Sequence, residues 1–117
     1  MSRQSSILSA CGLAAALAVT SFLAPRAQAD GLDALHAVVA LDGKVCFSDH
    51  SHHGSGSHAA SKTAALKAAI DSWAGFVAWE YGAEWANIKL AESRGKSCSQ
   101  EPSGWSCSLN ARPCRRQ

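Results

Sequence analysis

The longest apolar run in this chain, Ile7 to Leu23, is broken only by small Ser, Gly, Thr and Cys residues. Arg3 stands before it, Pro25 closes it, and Ala27-Gln28-Ala29 follows as a small-x-small cleavage signal. That order predicts a secretory signal peptide over 1–29, cut after Ala29. Residues 30–117 are then a single small domain, exported to the periplasm or secreted. Leu8-Ser9-Ala10-Cys11 has the form of a lipobox, but only Ile7 and Leu8 are strongly apolar ahead of the cysteine. The apolar run is also shorter than the ~20 residues of a spanning helix. Neither a lipid anchor nor a membrane anchor is expected after cleavage.

Beyond the leader the period of apolar positions changes three times. Residues 30–37 show no clear period and read as a loose N-terminus. Val38 to Leu41 and Lys44 to Phe47 are β-prone runs split by Asp42-Gly43, a hairpin signal because both turn positions need positive φ. His50 to Ser57 is polar and glycine-rich, which predicts a loop. From His58 a helical pattern begins, with Ser57 or Ser55 as N-cap. Leu66, Ile70, Trp73 and Val77 form its apolar stripe, widened by Ala69 and Phe76. Lys67 and Asp71 pair on the exposed side, and Gly82 ends the helix. Gly75 in the interior costs ~1 kcal/mol against alanine and asks for a close neighbour on that face.

After Gly82 the alternation of Ala86, Ile88 and Leu90 predicts a strand, with a second helix as the alternative. Cys98 to Gln100 and Trp105 to Ala111 flank Glu101-Pro102-Ser103-Gly104, which suits a type I turn closed by glycine. Trp105, Cys107, Leu109 and Ala111 share one face of the last strand. The fold class is α+β: one long amphipathic helix packed on a small antiparallel sheet.

Removing Cys11 with the leader leaves Cys46, Cys98, Cys107 and Cys114 of the five cysteines. An even number in a short exported domain reads as disulfides, and no C-x-x-C pair argues for zinc or redox chemistry. Cys98 and Cys107 face each other across the 101–104 turn in either plausible register. Cys46 and Cys114 point away from the apolar faces of their segments and would meet on the outer face. Pairing 98–107 with 46–114 is favoured over the two other connectivities.

Charge changes the picture less than the overall basic balance suggests. Without Arg3 and Arg26 the domain carries nine basic and nine acidic groups. Six of the basic ones, Lys89, Arg94, Lys96, Arg112, Arg115 and Arg116, lie after residue 85. They read either as a face for an acidic protein or anionic envelope polymer or as a solvated tail. A nucleic-acid partner is not expected.

Asp49, His50, His52, His53 and His58 are the densest group of candidate ligands. In extended chain His50 and His52 face one way, as two imidazoles sharing Zn²⁺ or Cu²⁺ must. The alternative is a solvated polar loop with no cofactor. Gly54-Ser55-Gly56-Ser57-His58-Ala59 matches G-x-G-x-x-A, yet a domain of this size lacks the βαβ repeats of a dinucleotide fold. What survives is an anion or partner contact at Gly54, Ser55 and Gly56, beside a helix start. Trp73 and Trp105 read as core. Trp79 and Trp85 fall off the helix stripe and are either wrapped by the sheet or left as an aromatic patch for a partner.

Gly-Ser-Gly before an alanine-rich helix, Trp73-x-x-Phe76, Glu80-Tyr81-Gly82, Ala91, Trp105-Ser106-Cys107 and Ala111-Arg112-Pro113-Cys114 together resemble small exported proteins of alphaproteobacteria. The resemblance covers roughly 45–114. It implies an envelope location and no catalytic residues, because those proteins have no assigned activity. No Ser, Cys or carboxylate pair stands out as catalytic machinery. The reading is a disulfide-stabilised, non-catalytic binding module for an unknown protein or envelope polymer. Its alternatives are a periplasmic Zn²⁺- or Cu²⁺-binding protein and an inhibitor of an envelope hydrolase. Oligomeric state is not legible in the sequence.

Overall fold

The computed structural model describes residues 32–117; the expected signal peptide and cleavage site lie outside the described residues. A 3-10 turn, Leu32–Leu35, leads into β1 (Val38–Leu41) and β2 (Lys44–Phe47). Asp42 and Gly43 join them with φ of 48° and 76°, the two positive values a tight hairpin demands. Then come β3 (His52–Ala59), the helix α1 (Lys62–Tyr81), a 3-10 turn (Ala83–Trp85), β4 (Glu92–Glu101), β5 (Gly104–Arg112) and β6 (Cys114–Arg116). The strands make two three-stranded antiparallel sheets, ordered β1-β2-β6 and β3-β5-β4. Pro113 separates β5 from β6. It has no N–H to give a ladder, and its carbonyl accepts from the Phe47 amide at 3.2 Å as the chain passes from one sheet to the other.

The helix lies on the sheet containing β3, and glycines decide how closely. A β-carbon built on Gly54 would fall 2.2 Å from the Ala69 carbonyl oxygen, and one on Gly56 would fall 2.4 Å from that of Ala65. Only bare backbone lets α1 sit there. The predicted loop over 50–57 is therefore a correction: from His52 onward it is strand β3, an edge strand paired to β5. Low β propensity misled the reading, because the strand's task is to admit a helix rather than to fill space.

Four further expectations shift. The helix starts at Lys62, not His58, and Ser61 caps it by accepting from the Ala64 amide at 3.1 Å. Its buried ridge is Ala65, Ala69, Trp73, Val77 and Tyr81, every fourth residue. Leu66 and Ile70 are half-buried beside that ridge, and Phe76 is exposed. The expected strand over 86–91 is instead irregular chain and a turn, between the 3-10 turn and β4. Gly82, with φ of 107°, ends the helix as expected, while Gly75 faces open space and has no packing neighbour.

Both disulfides pair as the sequence favoured. Cys98 and Cys107 are direct cross-strand partners with α-carbons 4.1 Å apart. Cys46 and Cys114 pair between β2 and β6 at 4.0 Å. The second bridge is fully buried, not on an outer face. It lies beside Phe47, which stacks on Trp85 with ring centroids 4.3 Å apart. Trp73 anchors the centre of the core, and its indole N–H donates to the Ala111 carbonyl at 3.1 Å.

Candidate functional site

Three imidazoles gather where the C-terminal end of α1 meets the start of β3 and the N-terminal segment. The His36 and His50 rings lie 4.6 Å apart, and His50 and His52 4.5 Å apart. His36 is held by its Nδ1 against the Leu32 carbonyl at 2.8 Å, one turn earlier in the chain. His52 leaves the first position of β3, and its Nε2 shares a 2.7 Å hydrogen bond with the Tyr81 hydroxyl. Tyr81 belongs to the buried ridge of α1, so the helix register sets that bond. Glu80 brings Oε2 to 3.9 Å from the same His52 nitrogen.

The electrostatics follow from this crowding. Burial and the neighbouring His50 lower the His52 pKa, with His36 adding to them and Glu80 opposing. Burial and the adjacent Glu80 carboxylate push the Tyr81 phenol well above its ordinary range. At neutral pH the His52 imidazole and the Tyr81 phenol are both neutral.

The row of rings continues outwards. Phe76 lies 4.9 Å from His52, and Trp79 lies 6.2 Å from Phe76, centroid to centroid. Trp79 is 82% exposed and Phe76 42% exposed. Imidazole, phenyl and indole thus form one ring surface running from the half-buried cluster to solvent.

The structure divides the residues named from sequence. His50 and His52 come together, and Trp79 is exposed. His53 alternates to the other side of β3 and is exposed, as is Asp49. His58 sits at the irregularity in β3 with φ of 56°, exposed and apart. Gly54 and Gly56 are buried under the helix and paired within the ladder to β5, so they make no anion cradle. Ser55 is exposed on the opposite side of the strand. Trp85 is a core residue at 1% exposure, its indole N–H donating to Asp33 at 3.2 Å and Arg115 lying over its ring. Sequence reading missed His36, Glu80 and Tyr81 as members of the cluster. His36 stands 14 residues before His50, and only the β1–β2 hairpin folds them together.

Among the described residues no group of three His, Cys, Asp or Glu side chains is arranged to hold a metal ion. None of the helices among them is long and apolar enough to cross a membrane. No protein-family model, curated protein or solved structure matches the chain.

Proposed function

We propose that this protein is an exported, disulfide-braced, non-catalytic module that binds an envelope protein through the ring surface at the C-terminal end of α1. One observation carries the reading: Trp79, at 82% exposure, continues through Phe76 into the half-buried histidine cluster. An isolated exposed indole needs no explanation, but one continuous with a fixed aromatic row has the make-up of a binding hot spot. The rigid backing supplied by Tyr81 and His52 lowers the entropy lost on binding.

A photo-crosslinking amino acid at position 79, compared with one at exposed Lys67, tests this in the exporting cell. A discrete protein adduct from position 79 alone is the expected result, and it should weaken when Phe76→Ala is added. Adducts to polymer would make the partner a glycan, and equal adducts from both positions would overturn the reading. Trp79→Ala should leave folding intact, since the side chain touches little.

The spacing of His50 and His52 favours a second reading, binding of Zn²⁺ or Cu²⁺ by two imidazoles. Calorimetric titration of either ion into the protein, and into a His50→Ala, His52→Ala variant, decides it. Binding that survives in the variant would sink it.

A further inference from the structure

The opposite flank of α1 carries a separate site. Because Gly54 and Gly56 draw the helix down over β3, it does not cover β4, and a trough opens between them. Leu66 and Ile70 of α1, Ile88 and Leu109 make an apolar floor and walls, and Arg94 and Lys96 stand at the mouth. The space is about 430 Å³, within the roughly 300–1,000 Å³ of small-molecule sites.

The position of Lys96 is the informative detail. It is the direct cross-strand partner of Leu109, just as Cys98 is of Cys107. Directly paired residues share a face, and Leu109 and Cys107 face the helix. Lys96 therefore occupies a core-facing position on β4 where an apolar residue would have closed the trough. Arg94 follows the β4 irregularity at Ser93, whose φ is 49°, and its guanidinium donates to the Ile88 carbonyl at 3.5 Å. Among the described residues neither cation is ion-paired with a carboxylate. Glu92, the nearest acid on the strand, is engaged by Lys44. An inward lysine can also guard an edge strand against mispairing. That role alone requires no apolar trough beneath it.

We propose that the trough binds a free aliphatic carboxylate, its chain on Leu66, Ile70, Ile88 and Leu109 and its head group between Arg94 and Lys96. Charge complementarity selects the head, since two cations flank an otherwise apolar space.

The probe is dodecanoate, titrated below its micellar concentration into the oxidised protein and followed by calorimetry and methyl NMR. Saturable one-to-one binding is expected, with shifts confined to Leu66, Ile70, Ile88 and Leu109. Lys96→Glu and Arg94→Glu should each weaken it by about tenfold or more. Both are exposed on an edge strand, so an unchanged melting temperature verifies their fold. Dodecyltrimethylammonium has the same tail with a cationic head and should bind far more weakly. Equal binding of the two amphiphiles, shifts elsewhere, or no saturation would overturn the proposal. So would sedimentation with anionic phosphatidylglycerol vesicles without dodecanoate binding, which would make the cations a membrane contact. None of these outcomes involves Trp79, so this test and that of the ring surface fail independently.

Discussion

Gly54 and Ala69 are in such close register that the strand backbone of one lies directly beneath the helix carbonyl of the other. A β-carbon at Gly54 would approach the Ala69 oxygen to 2.2 Å and Trp73 Cβ to 2.7 Å. Neither is the end of a flexible side chain, so the helix itself would have to lift. Gly54→Ala is expected to destabilise the protein by about 1–3 kcal/mol or more. Gly75→Ala is its counterpart, since that glycine meets nothing within 4 Å on the exposed side of α1. It should stabilise by up to ~1 kcal/mol through helix propensity. Opposite shifts of the urea midpoint in the two variants check the assignment.

The two disulfides should differ in worth. Cys46–Cys114 joins residues 68 apart in sequence, and Cys98–Cys107 residues 9 apart. Chain-entropy arguments give roughly 4 kcal/mol for the long loop and roughly 2.5 kcal/mol for the short one. The C46A/C114A variant should therefore melt well below C98A/C107A. Full burial of the first bridge widens the gap. Similar losses from both would show that the unfolded chain retains structure near one of them.

Stability should fall on mild acidification. Burial above all, then His50, keeps the His52 imidazole below its ordinary value of 6.5 in the folded protein. Between that value and the lower folded one, the unfolded chain binds more protons than the folded chain. Stability is thus fully present above 6.5 and is lost as the pH drops towards the folded pKa. Urea midpoints at about pH 7.5 and about pH 5.5 measure the loss, and His52→Gln should flatten the slope. An unchanged slope would place the proton uptake elsewhere.

The sequence reached some of the candidate site and not the rest, for identifiable reasons. His50 and His52 could be grouped because alternation along extended chain is a local property. His36 could not, since only the Asp42-Gly43 hairpin returns the chain to it. Tyr81 and Glu80 enter through the register of the helix on β3. That register depends on Gly54 and Gly56, residues that read as a loop when no helix is there to be admitted. Trp85 looked available for a partner because its fate depended on Phe47, 38 residues earlier.

What the sequence determined by itself is whatever depends on near neighbours and chain composition. This includes the Asp42-Gly43 turn, a helix ending at Gly82, the α+β class and a disulfide between residues facing each other across a short turn. Tertiary structure decided which face of the helix is buried, which tryptophan is exposed, and the two-sheet arrangement that encloses Cys46 and Cys114. It also decided the trough beside β4. Local periodicity says that a helix has an apolar side. Where that side settles is a contest between neighbours, and here two absent β-carbons on β3 decide it.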